Sequence, residues 1–210
     1  HRLNFQLRVK TDSAGGLFRW APAFNMQNGR TAAFENTSWK NEAGKETNAI
    51  NRYTQSATDG ITVSNELLYQ KPLAKRGRSF STQLSSSYKT GKAAQLNFNE
   101  TDFLLNDTTL LKNSTSSRLT QNTTVHEETF RAGWTEALGK KFLAEITGKA
   151  GLSDNTNARK TFDYNSANDA YNLLSDSLSN SFRTNWQYAL AGAKLKFTSG
   201  KLTLTGGVSQ

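Results

Sequence analysis

Three short strings in this 210-residue chain imitate an acyl-transfer site. Ser86-Ser87-Tyr88-Lys89 fits S-x-x-K, Lys89-Thr90-Gly91 fits K-T-G, and Ser153-Asp154-Asn155 fits S-D-N, the three parts of the penicillin-recognising set. Together they would supply a serine nucleophile and a lysine beside it. The imitation fails on order and overlap, because Lys89 would have to serve two motifs at once. That chemistry also needs a nucleophile that opens a helix, and the residues around Ser86 alternate as a strand does.

Metal and phosphate chemistry fare no better. His126 is the only internal histidine, flanked by Glu127 and Glu128. Adjacent strand residues face opposite sides, so the three cannot converge on one ion; a lumen or loop position is expected for His126. Asp154-Asn155-Thr156-Asn157 and Asn106-Asp107 have the composition of calcium loops but no spaced ligand set with a closing Glu, so surface loops are expected there. Asn36, Asn106, Asn113 and Asn122 open N-x-[ST] sequons, as a chain this rich in Asn, Ser and Thr would by composition. Gly139-Lys140 lacks the spacing of a phosphate loop. No catalytic, cofactor or metal residue is assigned, no enzyme activity is expected, and ligand-binding residues are not identified by motif.

The elements that would carry these residues follow a repeating unit. A long alternating stretch ends in a tight basic or Gly-containing turn, a second stretch follows, and then a longer polar loop. The tight turns fall at residues 11–16, 73–77, 138–141 and 198–201, and the polar loops near 40–47, 106–117 and 165–180. Two unequal ends are the pattern of an up-and-down antiparallel outer-membrane β-barrel. The first strand alternates Leu3, Phe5, Leu7 and Val9 with Arg2, Asn4, Gln6, Arg8 and Lys10. Alone it leaves soluble core and lipid equally open. Further on, Phe18, Trp20, Phe24 and Met26 share parity before the strand turns polar. Its return partner is polar first and apolar at Ile61, Val63, Leu67 and Tyr69. The apolar half of each strand thus adjoins the tight turn, as a membrane band of about 9–11 residues requires. Trp20, Tyr69, Phe80, Trp134, Phe142 and Phe197 cluster near these turns as an aromatic girdle would. Trp186, Tyr188 and Leu190 share one parity while Leu195 and Phe197 share the other, and a β-bulge near Gly192 is expected to reconcile them.

Composition agrees with that reading. Only 35% of residues are hydrophobic, and the mean hydropathy is -0.66. Soluble domains carry about 45–50% apolar residues with Gly counted, whereas a barrel needs them only at alternate strand positions. There are two prolines and no cysteine, so no disulfide or thiolate site exists in this chain. The net charge of +9 is spread over all strands and turns, which favours turn and lumen charge over nucleic-acid binding. No apolar run is long enough for a membrane helix. Strand patterning reaches both ends, so residues 1–210 are expected to be one partial barrel domain of a longer chain.

Several of these strings resemble a known family. The stretch Trp134-Thr135-Glu136-Ala137-Leu138-Gly139-Lys140-Lys141 resembles a strand–turn–strand of TonB-dependent-receptor-like outer-membrane β-barrel proteins. Lys160-Thr161-Phe162-Asp163-Tyr164, with the later run from Leu174 to Phe182, is similar to the loop and strand restart after that turn. Asn65-Glu66-Leu67-Leu68-Tyr69 running into Lys75-Arg76-Gly77-Arg78-Ser79-Phe80 is similar to an earlier hairpin.

The resemblance implies about eight long strands of a larger transmembrane barrel in a Gram-negative outer membrane, with a plug outside this segment. It implies binding and energised import of a scarce nutrient such as a siderophore, glycan or peptide. The partners implied are outer-membrane lipid, the nutrient, and an energy-coupling periplasmic protein engaged through regions outside the segment. Lumen-facing candidates are Arg8, Arg19, Glu66, Glu145 and Lys149, and outer-loop ligand candidates are Tyr164, Tyr171 and Asn172. The competing reading is a soluble all-β carbohydrate-binding or adhesion module with Trp20, Trp39, Trp134 and Trp186 as stacking surfaces. Half-hairpins of 20 residues or more disfavour it against the usual five or six. A barrel enzyme is the third reading, and no nucleophile–base pair supports it.

Overall fold

The alternating stretches fold into strands β1 (Arg2–Asn4), β2 (Leu7–Lys10), β3 (Leu17–Trp20), β4 (Ala23–Lys40), β5 (Glu46–Pro72), β6 (Ser79–Leu105), β7 (Thr109–Ala137), β8 (Phe142–Asn165), β9 (Ala170–Leu174), β10 (Asn180–Ser199) and β11 (Leu202–Ser209). They come from a computed structural model that describes residues 1–13, 15–44, 46–105 and 109–210. Pro22 has no N–H to give to a ladder, and the chain breaks between β3 and β4 there. The register does not slip: Trp20 faces Leu67 before the break and Ala23 faces Ser64 after it. β1 and β2 are likewise two halves of one strand. Eight long strands result, with β9 a short addition to β8.

All pairings are antiparallel, and the long strands follow one another across the sheet in chain order. This is the up-and-down, all-β architecture the alternation predicts. β1 and β11 are its edges among the described residues. β6 has 27 residues, a span of about 90 Å at about 3.3 Å per residue.

Each tight turn holds one glycine at positive φ: Gly15, Gly77, Gly139 and Gly200. Asp12 Oδ1 closes the first turn by accepting from the Gly16 N–H at 2.7 Å. In the second, the Leu73 N–H donates to the Arg78 carbonyl at 2.9 Å.

Several expectations are corrected. Residues 109–117, read as part of a polar loop, are strand, and the rest of that loop, Asn106-Asp107-Thr108, lies outside the described residues. Asp154-Asn155-Thr156-Asn157 is also strand, inside β8. Ladder hydrogen bonds come from the backbone, so Asn, Ser and Thr side chains do not prevent pairing when the neighbouring strand is already in register. No bulge forms near Gly192: β8 and β10 stay in step from Asn180↔Arg159 to Phe197↔Phe142. Trp186, Tyr188 and Leu190 therefore face the side opposite Leu195 and Phe197. The segment 165–180 is only partly loop, since it contains β9 and a 3₁₀ turn at Asp176–Leu178.

Candidate functional site

Cross-strand partners share a face, so the register sorts the sheet into two sides. One side carries Leu7, Val9, Phe18, Trp20, Phe24 and Met26, followed across the sheet by Ile61, Val63, Leu67 and Tyr69. The same side continues through Phe80, Leu84, Phe130, Trp134, Phe142 and Ile146 to Leu195, Phe197, Leu204 and Val208. All six expected girdle aromatics lie on it. These side chains remain open: Ile146 is 61% exposed and Val208 77%. Only Ala49 and Leu119 are buried apolar residues among those described. Burying one such Leu, Ile or Phe stabilises by about 1.5–3 kcal/mol, so a belt of this size holds tens of kcal/mol of burial that water cannot supply.

The belt is inclined to the strands. Its tight-turn border lies at Phe18 in β3 and at Phe197 in β10. The row through Phe18 runs by Tyr69, Thr82, Ala132 and Gly148 to Ala191, six residues short of Phe197. That is about 1.2 residues per strand step, which with a rise of about 3.3 Å and a spacing of about 4.8 Å gives about 40°. Transmembrane barrel strands tilt by about 35–45°.

The opposite side is polar. One row across it reads Arg8, Arg19, Leu68, Gln83, Arg131, Lys149 and Leu190. It places two pairs of cations side by side, Arg8 with Arg19 and Arg131 with Lys149, with Leu68 and Gln83 between the pairs. Arg19 forms an ion pair with Glu66, and its buried Nε has no hydrogen-bond partner. Arg131 and Lys149 are direct cross-strand partners and neither forms an ion pair among the described residues. One row away, Tyr188 lies across Gly151, which has no Cβ to obstruct the ring. Trp186 stacks on Tyr188 with centroids 5.1 Å apart, and the Lys149 Nζ sits 5.0 Å from the Tyr188 ring centroid. Beside them a hollow of about 500 Å³ is lined by Gln83, Arg131, Glu145, Lys149, Leu190 and Lys194 among others. Cations, a stacked ring pair and hydrogen-bonding side chains can hold a ring-bearing or anionic small molecule.

All five lumen candidates, Arg8, Arg19, Glu66, Glu145 and Lys149, thus share the polar face. Arg131, Trp186 and Tyr188 complete the candidate site; sequence reading missed Arg131 and Tyr188, and took Trp186 only as a stacking surface of the soluble alternative. The signal was present for the rings: their parity opposes that of Leu195 in an unbroken strand. Of the outer candidates, Tyr164 and Tyr171 meet edge to face with centroids 5.4 Å apart. Tyr164 donates its hydroxyl to Asp169 at 2.6 Å, which raises the pKa of the phenol. The Tyr171 hydroxyl is 2.7 Å from Ser116 Oγ. Asn172 lies in β9, exposed, and away from the row of cations.

His126 lies within β7, not in a loop, and not on the polar face expected to line a lumen. It faces the apolar side across from Tyr88, with Nε2 3.2 Å from Glu128 Oε1, at the border where the belt turns polar. Next along that border Asp154 accepts from the Arg183 Nε at 2.9 Å, and this guanidinium holds its carboxyl below the usual range.

No family model and no curated protein matches the chain. Among solved structures, the ferric yersiniabactin uptake receptor FyuA from Yersinia pestis is 11% identical with a TM-score of 0.35, over 95% of this chain and 35% of that one. The ferric citrate transporter FecA in its unliganded form is 11% identical with a TM-score of 0.32, over 99% of this chain and 36% of that one. The chain therefore spans about a third of the length of these two proteins. Scores of this size do not establish a shared fold.

Proposed function

We propose that this chain is wall of an outer-membrane β-barrel of the TonB-dependent-receptor-like kind, whose polar face binds a small nutrient on its way into the cell. The observation that carries the reading is the belt: about nine residues of each strand, continuously apolar on one side, inclined at about 40° and opposed on the other face by the cation pairs Arg8–Arg19 and Arg131–Lys149. A soluble sheet has no use for an exposed apolar stripe of this extent. A bilayer buries it, and the opposite face becomes the lumen.

The cargo would meet the row of Arg8, Arg19, Arg131 and Lys149 and the Trp186–Tyr188 pair. Energy coupling and the plug belong to parts of the protein outside this segment. Catalysis forms no part of the proposal. The stacked rings equally suit the second reading, a carbohydrate-binding module, so the decisive test is location. Cells expressing the parent protein are fractionated, and each fraction is run on gels unheated and boiled. Enrichment in the outer membrane with a heat-dependent mobility shift is expected. Recovery in the soluble fraction without a shift would replace the barrel by the soluble module.

A further inference from the structure

Charge on the polar face is sorted along the strands. Arg131, Lys149 and Lys194 line the hollow of about 500 Å³ against a single acid, Glu145. Next to it, toward the long loops, a second hollow of about 280 Å³ is lined on this face by Ser64, Glu66, Ser85, Ser87, Glu127 and Thr129, and by no cation. The register keeps these side chains on one side of the sheet, through the rows Glu66↔Ser85↔Thr129 and Ser64↔Ser87↔Glu127. Glu66 is held by Arg19, whereas Glu127 has no ion pair among the described residues. Lys89, on the next row of the same face, does not pair with it.

The two hollows meet along β7. Glu127 and Arg131 are four residues apart on one face, about 13 Å at about 3.3 Å per residue, with Thr129 between them. The row through Thr129 continues by Gly151 to Tyr188, and the Tyr188 ring lies where Gly151 has no side chain. Trp186, in the row of Glu127 and Ser153, stacks on that ring and remains 49% exposed. The trough thus has a cationic end, an acidic end and an aromatic wall. An anion would use the first and be repelled by the second. A neutral sugar would use the rings and leave both charged ends without a partner. A short peptide uses all three: three extended residues span at most about 10–11 Å, a length that the side chains of Glu127 and Arg131 can bracket.

We propose that the polar face selects a zwitterionic short peptide bearing an aromatic side chain. Its C-terminal carboxylate lies against Arg131 and Lys149, where a guanidinium can donate two parallel hydrogen bonds. Its N-terminal ammonium lies against Glu127, and its ring against Trp186 and Tyr188. The proposal deepens the nutrient-binding reading of this face and rests on it.

The test titrates the parent protein in detergent with alanyl-phenylalanyl-alanine by calorimetry. Three analogues each lack one feature: the N-acetylated peptide, the C-terminal amide and trialanine. The two capped forms are expected to bind about tenfold more weakly, the effect of losing one hydrogen bond to a charged group, and trialanine is expected to bind more weakly than the free peptide. Glu127→Gln should abolish the preference for the free amine and keep that for the free carboxylate. Arg131→Gln/Lys149→Gln should do the reverse. Any analogue that binds the wild type as tightly as the free peptide would overturn the contact it lacks, and the proposal with it. So would the absence of binding by all four peptides, or a preference for the free amine that survives in Glu127→Gln. The same samples are run on gels unheated and boiled. A heat shift without peptide binding removes the ligand class alone, whereas a wild type that shows no shift overturns the barrel reading itself.

Discussion

Arg131 and Lys149 stand directly across from one another on the polar face, and neither has an acid partner among the described residues. Like charges at opposed antiparallel positions destabilise a sheet by about 0.2–1 kcal/mol. Arg131→Gln is therefore expected to raise the guanidinium unfolding midpoint in detergent by an amount of that order. A lowered midpoint would mean that the two cations are already compensated.

Tyr188 occupies the space a side chain at position 151 would need: a Cβ there would come within 2.5 Å of the ring. Gly151→Ala is expected to cost about 1–3 kcal/mol, the usual range for overpacking. In a Tyr188→Ala background the same substitution should cost less by 1 kcal/mol or more, since the clash is gone. Additive costs in the double variant would contradict the contact.

The tight turns should not be equally tolerant. Gly77 and Gly139 both have positive φ, but only at Gly77 would a Cβ meet a neighbour, the Ala137 Cβ at 2.8 Å. Gly139→Ala is expected to cost about 1–2 kcal/mol from backbone conformation alone. Gly77→Ala should cost more, and equal midpoints for the two variants would contradict the packing.

Glu136 supplies a pH dependence. The Arg78 and Lys75 side chains that bond its carboxylate lower its pKa from 4.5 to about 2. A depressed carboxyl stabilises the folded state fully above the unfolded pKa, and that stabilisation is lost as pH falls through the folded value. The stability gap between the wild type and Glu136→Gln should therefore be constant above about pH 5 and close between pH 4.5 and 2. A gap unchanged at pH 2 would show that the ion pairs contribute nothing.

The eight strands and the side of the sheet on which each apolar residue lies were legible because alternation and tight turns fix register. The girdle aromatics could be read in the same way. Polar strand was not: residues 109–117 and 154–157 look like loop by composition, yet their backbones pair because the adjoining strands hold them in step. Nor was the role of β10, whose two faces are both partly apolar. Leu195 and Phe197 continue the belt while Trp186 and Tyr188 serve the polar face, and alternation alone reads that as a slip. The opposed pair Arg131 and Lys149 depends on the β7–β8 register, which no local motif records.

The central claim is that one face of the sheet meets lipid and the other meets water. The chain has no cysteine, so single cysteines can be placed in β8 and β10 of the bilayer-inserted protein and treated with a membrane-impermeant maleimide. Cysteines at Glu145, Lys149, Leu190 and Lys194 are expected to react, and those at Ile146, Ala150, Ala189 and Leu195 to be shielded. Alternation that inverts at Gly192 would restore the bulge, and uniform reactivity at all eight positions would contradict the lipid-facing belt.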